Sequence, residues 1–246
     1  MHIGTAGWSI PKEVAEAFTG DGQHLQRYAR VMNCAEIDTS AYRHHATAVY
    51  ARWASLTPAD FRFAVKLPQA ITHDARLRRA RKPLQQFLAE VAGLGDKLAV
   101  LLVQLPPSFA FEARPVRSFF QLLAELHDGT VACEPRHRSW FTPAAERTLA
   151  ALRVARVAAD PATVPEAALP GGWLGPQGDG SGVLLYHRWH GSPRVYWSRY
   201  EDDWLRRQAD ALRAWPAGAD RWCIFDNTAA GGALPDALKL QGLLQT

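Results

Sequence analysis

Eight short, mostly apolar runs occur along the chain, and each is followed by an amphipathic or loop segment before the next begins. The run from Leu98 to Gln104 is almost wholly apolar, as expected of a strand whose two faces are both covered. Between the runs, segments such as Pro115 to Leu126 repeat apolar residues at helical spacing. This alternation predicts a parallel sheet, and eight units predict closure into a barrel. The predicted strands are Ile3–Trp8, Cys34–Thr39, Phe61–Pro68, Leu98–Gln104, Val131–Glu134, Arg153–Asp160, Val183–His187 and Trp222–Phe225.

We therefore predict an α/β protein that forms a single (β/α)8 TIM-type barrel domain over residues 1–246. The length of 246 residues is usual for one such barrel, and no composition shift marks a second domain. Thr142 before Pro143 predicts a helix N-cap, and Ser198 to Glu201 has the pattern of a capping box. The glycine-rich segment from Gly171 to Gly182 predicts a loop that acts as a lid.

The composition of the chain indicates where in the cell the protein is expected. No run approaches the roughly 18 apolar residues of a membrane helix, and the start of the chain lacks the pattern of a signal peptide. We therefore expect a cytoplasmic protein with no membrane partner. The three cysteines, Cys34, Cys133 and Cys223, are far apart and lie in apolar runs, which favours buried free thiols. The net charge of +4 points only weakly towards anionic partners.

Polar residues collect where the predicted strands end, which is where barrel enzymes place their chemistry. These residues are Glu36, Asp38, Lys66, Gln104, Glu134, Arg136, Asp160, His187, Arg188, Asp226 and Asn227. Period-two alternation also directs Glu36, Lys66, Gln104 and Glu134 to the face opposite the one that helices would cover. Their convergence predicts a functional pocket, because a charged group costs several kcal/mol or more to bury without a partner.

Several stretches together resemble a known family. They are Ile3–Trp8, Ala35–Thr39 with Tyr42 and Arg43, Phe61–Pro68 with Ile71–His73, Leu102–Phe109, Glu134–Phe141, His190 and Gly191 with Tyr196, and Phe225–Asn227. In these the chain resembles the YecE-like family of unknown function, domain of unknown function seventy-two. The resemblance implies a TIM-type barrel and implies no reaction. The chain departs from the family after Trp8, where the first βα connection is short and predicts an irregular first unit, and at Asp226, where the family more often has Asn.

The chemistry of the pocket is open to more than one interpretation. Glu134 and Arg136 share a strand face. Either they form an ion pair in which each satisfies the other, or Arg136 binds an anion while Glu134 acts as a base or metal ligand. Lys66 among carboxylates stays charged, which favours anion binding over a nucleophilic amine, and a structural lysine in a salt bridge is the alternative. His137 is a candidate acid or base, although it is one residue on from Arg136 and can equally point towards a helix.

From these arguments we assign candidate roles. The predicted catalytic residues are Glu134, His137, Asp160 and Glu36. The predicted substrate-binding residues are Lys66, Gln104, Arg136, Asp38, Arg188, His190 and Asn227. They describe an enzyme, a hydrolase, lyase or isomerase, that acts on a small anionic or polyhydroxylated substrate such as a sugar or nucleotide phosphate. No cofactor is predicted, because neither phosphate-loop nor dinucleotide fingerprints occur, while a divalent metal on the carboxylates and His187 or His190 stays open.

A second hypothesis concerns a basic run in the third βα connection. Arg76, Arg78, Arg79, Arg81 and Lys82 form this run, and one interpretation of it is the solvated start of a helix. Cations at the start of a helix oppose its macrodipole, so the placement hints at an anion-binding role. In the alternative function the protein binds nucleic acid or acts in repair: the basic rim from Arg76 to Lys82 tracks phosphates, and Trp8, Trp140 or Trp189 stacks on bases.

Overall fold

Ten strands and seven α-helices make up the computed structural model within the residues that it describes, 1–175 and 182–245. The strands are β1 His2–Ala6, β2 Cys34–Ile37, β3 Arg62–Lys66, β4 Leu98–Gln104, β5 Thr130–Glu134, β6 Ala155–Arg156, β7 Ala158–Asp160, β8 Gly171–Gly172, β9 Leu184–Trp189 and β10 Asp220–Phe225. The helices are α1 His24–Tyr28, α2 Thr47–Ser55, α3 Arg81–Val91, α4 Ala113–Leu126, α5 Pro143–Ala151, α6 Asp202–Arg213 and α7 Ala233–Gln245.

All ten strands belong to one sheet in the order β7-β9-β10-β1-β2-β3-β4-β5-β6-β8. The pairs are parallel apart from β6 with β8, which is antiparallel. The two ends of the sheet come together because β6 pairs with β5, while β7, one residue further along the chain, pairs with β9. The protein is therefore a mixed α/β fold with a nearly closed, barrel-like sheet.

Apolar side chains form layers on both sides of this sheet. Inside the barrel, residues at every second position pack together, among them Ala64, Leu102 and Tyr186. The intervening residues face the helices, where Phe63, Val65 and the apolar side of α4 form the larger cluster. This two-sided burial explains why β4 is almost wholly apolar.

Local predictions met different outcomes. The Thr142 cap is confirmed, since its hydroxyl accepts a hydrogen bond from the Ala145 amide at 3.4 Å. The capping box at Ser198 is wrong: α6 begins at Asp202, and the Ser198 hydroxyl accepts instead from the Arg194 amide. The predicted sixth strand is divided into β6 and β7.

The connections after β1 and β7 also bear on the predictions. The first βα unit contains a 3₁₀ helix at Lys12–Ala17 and then only the five-residue α1. Within the predicted lid, Gly171 and Gly172 form β8, and residues 176–181 lie outside the described residues. In the described chain no helix is both long and apolar enough to span a membrane.

Candidate functional site

The interior of the barrel changes from apolar to charged near the C-terminal ends of its strands. The last apolar side chains inside belong to Cys34, Ala64, Leu102, Ala132, Tyr186 and Ile224. Two residues further along the same segments stand Glu36, Lys66, Gln104, Glu134, Arg188 and Asp226. Because residues two apart on a strand share a face, these polar side chains form one layer above the apolar interior. Asp38, Arg136 and His190 follow after two more residues.

Arg188 is the centre of this layer and is 1% exposed. Its Nε and Nη2 atoms donate to the Glu36 carboxylate at 2.5–3.1 Å, and its Nη1 donates to Glu134 Oε2 at 2.7 Å. Nη2 also lies 3.1 Å from Asp226 Oδ2 and 3.5 Å from Asp38 Oδ2. One guanidinium therefore links four carboxylates that come from β2, β5, β10 and the residues that follow them. We call Arg188 with Glu36, Asp38, Glu134 and Asp226 the Arg188 cluster.

His190 lies between two carboxylates of this cluster. Its Nδ1 is 2.9 Å from Asp226 Oδ2, and its Nε2 is 2.8 Å from Glu134 Oε1. Arg136 Nη2 lies 2.9 Å from the same Nε2 and 2.8 Å from Glu134 Oε1. A protonated Nε2 donates to Glu134, whereas an unprotonated Nε2 accepts from Arg136, so the ring has a partner in either state. The main-chain N–H of His190 is fixed by the Asp160 carbonyl at 2.7 Å.

The two buried glutamates, Glu36 and Glu134, differ in pKa. Burial raises the pKa of Glu36 to about 8, with Arg188 opposing and Asp38 adding to the rise. Burial also opposes ionisation of Glu134, but Arg136, Arg188 and His190 together hold its pKa well below the usual range. Glu134 is therefore the ionised carboxylate beside His190, and Glu36 is the carboxyl group that gains a proton more readily.

Lys66 and Arg136 are the cations nearest the open side of the layer. The Lys66 ammonium is 3.5 Å from Asp38 Oδ1 and lies over the exposed ring of Tyr42, 5.5 Å from its centroid. The Arg136 side chain is 17% exposed, and its buried Nε has no hydrogen-bond partner. Burial lowers the pKa of His73, and the charges of Lys66 and Arg136 lower it further. Two cations therefore lie at this side of the site, and their charges act on the His73 imidazole.

The remaining predicted site residues lie in different surroundings. The Asp160 carboxylate accepts from the Tyr200 hydroxyl at 2.9 Å, and burial raises its pKa. The amide nitrogen of Asn227 donates to the Ser198 carbonyl and to Asp236, both at 2.9 Å, away from the cluster. His137 accepts from the Ser139 amide and caps a short 3₁₀ helix, and its described contacts include none to the Arg188 cluster.

Gln104 and His187 complete the predicted set. Gln104 is half-buried and lies opposite Glu134 in the β4–β5 register, and no side-chain hydrogen bond of Gln104 occurs within the described contacts. His187 faces away from the barrel interior, and its ring packs against Trp189 on the outer side of the sheet. Burial lowers the pKa of His187 to about 4.

Asp226, which the sequence places in the pocket without a role, completes the cluster, and three further residues take part: Tyr186, His73 and Asp236. The Tyr186 hydroxyl donates to Glu36 at 2.7 Å. The charges of Lys66 and Arg136 act on His73, and Asp236 on α7 accepts from Asn227. Tyr186 had a signal, because it lies two residues from Arg188 on an inward face. His73 stands in one of the stretches that carry the family resemblance, whereas no local pattern marks Asp236, whose contacts with Asn227 and Tyr200 join separate elements.

The basic run from Arg76 to Lys82 is separate from this layer. Arg76 donates to the Ser108 carbonyl at 2.9 Å and lies 4.8 Å from the centroid of the Phe109 ring. Arg81 pairs with Glu125 at 2.7 Å. The remaining members line a depression between α3 and α4.

The donor set does not form a recognisable metal site. Within residues 1–175 and 182–245, no group of three or more His, Cys, Asp or Glu side chains is arranged to hold a metal ion. The carboxylates that could serve instead accept hydrogen bonds from Arg188, Arg136 and Tyr186.

Comparisons with known proteins agree with this architecture. A family model described as "Protein of unknown function DUF72" matches residues 2–246. The UPF0759 protein YecE of Escherichia coli (strain K12) is 33% identical over 148 residues, which are 59% of this chain and 52% of that protein. The UPF0759 protein YunF of Bacillus subtilis (strain 168) is 28% identical over 149 residues, 58% of this chain and 53% of that protein. The matched part of the chain thus spans about half the length of these curated relatives.

Solved structures give the same picture of the fold. A DUF72 family protein from Enterococcus faecalis V583 superposes with a TM-score of 0.79 at 21% identity, covering 100% of this chain and 95% of that one. A DUF72 family protein from Thermotoga maritima MSB8 superposes with a TM-score of 0.76 at 22% identity, covering 100% and 99%.

Proposed function

This chain belongs to the DUF72 family, whose function is unknown, and we propose that it is an enzyme for a small anionic or polyhydroxylated substrate. A sugar phosphate or nucleotide phosphate is the substrate class, and acid/base chemistry at the strand ends is the mechanism. The observation that carries the proposal is the position of His190, held between Glu134 and Asp226 with Arg136 against its Nε2. Hydrolases, lyases and isomerases use a histidine held in this way as a general acid or base.

The architecture supports chemistry at this end of the sheet. We propose that β6 and β7 are one interrupted strand, so that the nine parallel strands β1–β7, β9 and β10 form an eight-stranded TIM-type barrel, with the two-residue antiparallel β8 as an addition, and that the chain is a single domain. Val157, the residue between them, packs inside the barrel and donates its N–H to the Cys133 carbonyl at 2.9 Å. In barrels of this type, catalytic groups lie at the C-terminal ends of the strands.

Lys66 and Arg136 bind the anionic group of the substrate. Both are partly desolvated, which strengthens their attraction for a phosphate, and neither is fully satisfied within the protein. Lys66 contacts Asp38 only at 3.5 Å, and Arg136 retains an unpartnered Nε. Gln104, which lies between them on β4, supplies a neutral donor to a hydroxyl or phosphate oxygen.

His190 transfers the proton, and the buried carboxylates hold its ring in place. Asp226 orients the ring through Nδ1, while Glu134 accepts from Nε2 when the ring is charged. An anion that draws Arg136 away from His190 leaves Nε2 in contact with Glu134 alone, and a proton then passes between Nε2 and the substrate. Arg188 is a positioning residue, because its fork holds Glu36, Glu134 and Asp226 in place.

A thermal-shift screen against sugar phosphates and nucleoside monophosphates tests this proposal. A ligand at one hundred times its Kd stabilises a protein by about 2.7 kcal/mol, which is a rise in Tm of about 5–10 °C for a chain of this size. Charge-assisted hydrogen bonds contribute about 1.5–3 kcal/mol, so Arg136→Ala and Lys66→Ala are each expected to weaken binding by roughly 10–100-fold.

Arg138→Ala is the matched control, because Arg138 is an exposed arginine only two residues away from Arg136. It is expected to keep the full shift. The proposal fails if no phosphate-bearing compound stabilises the protein, or if the shift survives in both Arg136→Ala and Lys66→Ala.

A further inference from the structure

A surface depression of about 810 Å³ lies between the first turns of α3 and α4. Its volume is within the range of about 300–1,000 Å³ that is usual for small-molecule pockets. None of its lining residues belongs to the Arg188 cluster or to the proposed anion-binding residues of the barrel. We call this depression the α3–α4 groove.

The groove combines an apolar floor with a basic rim. The floor includes Leu77, Ala80, Phe119 and Leu122, and the rim carries Arg78, Arg79, Arg81, Lys82 and Arg114 with one acidic residue, Glu112. Of these cations, Arg81 is paired with Glu125. The other four are exposed, and in the described part of the chain none of their side chains forms an ion pair or hydrogen bond. Four unpaired cations therefore line the groove beside a single acidic residue, Glu112.

The backbone conformation and the nearby helix N-termini make this cluster of cations unfavourable when no anion is bound. Leu77 and Arg79 have φ angles of 65° and 50°, in the left-handed region that residues other than glycine seldom adopt. Such strained residues cluster at ligand sites. Arg81 and Lys82 open α3 and Arg114 lies in the first turn of α4, where positive charge is opposed by the helix macrodipoles. A bound anion removes this repulsion at both helices.

We propose that the α3–α4 groove binds an organic anion with an apolar body, its phosphate or carboxylate against Arg78, Arg79, Lys82 and Arg114. The apolar body lies on Leu77 and Leu122. Single-stranded nucleic acid fits the groove less well, because bases stack on exposed aromatic faces and the one aromatic lining residue, Phe119, is buried. The site is independent of the proposed barrel site.

Dodecyl phosphate, kept below the concentration at which it forms micelles, is the probe. Its binding is measured by isothermal titration calorimetry on the full chain. Arg79→Ala and Arg114→Ala are each expected to weaken binding by about fivefold, the size of an exposed ion pair, and added salt is expected to weaken it further. Ser118→Trp, at an exposed position on the lining, is expected to abolish binding by filling the groove.

Arg117 supplies the matched controls, since it is an exposed arginine on α4 that does not line the groove. Arg117→Ala and Arg117→Trp are expected to bind the probe as the unaltered protein does. The inference is overturned if the probe does not bind, if the groove variants leave its affinity unchanged, or if only anionic vesicles or oligonucleotides bind.

Discussion

Replacement of Arg188 by Met removes the one cation that the buried carboxylates of the barrel share. Arg188 is 1% exposed, and its fork contacts Glu36, Glu134 and Asp226. Loss of one partner from a buried ion pair costs about 3–5 kcal/mol, because the remaining charges stay desolvated. For a chain of this size we expect a fall in Tm of roughly 6–20 °C.

The pH dependence of this deficit identifies its cause. Burial opposes ionisation of Glu134 and Asp226, yet the pKa of each is lowered, with Arg188 contributing in both cases. Without Arg188 both pKa values rise, so the carboxylates take up protons at a higher pH and lose their unpaired charge. The deficit of Arg188→Met is therefore expected to shrink as the pH falls from 7.5 to 5.

Denaturant unfolding at several pH values, followed by tryptophan fluorescence, measures the effect. Arg206→Met is the control, because Arg206 forms an exposed i,i+3 pair with Asp203, and its loss is expected to cost less than about 0.5 kcal/mol. The double variant Arg188→Met/Glu134→Gln is expected to recover part of the loss by removing one unpaired charge. A deficit below about 1 kcal/mol that does not change with pH refutes the reasoning.

Three further predictions concern single contacts. Burial lowers the pKa of His187 from 6.5 to about 4, so between these pH values the unfolded chain binds more protons and the stability of the fold rises with pH. Unfolding curves of His187→Phe are expected to lack this rise, which is about 3 kcal/mol over the whole pH range. A pH dependence that His187→Phe leaves unchanged contradicts the assignment. Tyr186→Phe leaves an oxygen of the buried Glu36 short of a donor and is expected to cost about 1–3 kcal/mol by denaturant unfolding, whereas a neutral effect speaks against the contact. Lys97 donates to two main-chain carbonyls near the end of α2, so Lys97→Met is expected to speed amide hydrogen exchange there selectively, and uniform exchange counts against it.

The layer of polar groups could be predicted from the sequence because it depends on local alternation. Glu36, Lys66 and Glu134 each follow an inward apolar residue by two positions, and a period of two is sufficient to place them. The choice of partners could not be predicted in this way. Arg188 lies 152 positions from Glu36, and no local pattern indicates that its fork joins them.

The two histidines illustrate the same limit. His137 and His190 both lie just beyond the C-terminal end of a strand, β5 and β9 respectively, and His137 was assigned the catalytic role. The chain turns immediately after His137, so its ring meets the Ser139 amide, whereas the Asp160 carbonyl on β7 holds His190 over the cluster. Likewise, alternation cannot reveal that the sixth strand changes its partner from β5 to β9.

An anion site beside His190 is the central element of the proposed function. Titration of the histidine-selectively ¹⁵N-labelled protein with ribose 5-phosphate, followed through the ring nitrogen signals, tests this directly. We expect the His190 and His73 signals to shift together in a saturable manner, to need roughly 10–100-fold more ligand in Arg136→Ala, and to shift normally in Arg138→Ala. Ring signals that stay unmoved in the unaltered protein, or that shift equally in Arg136→Ala, contradict the account.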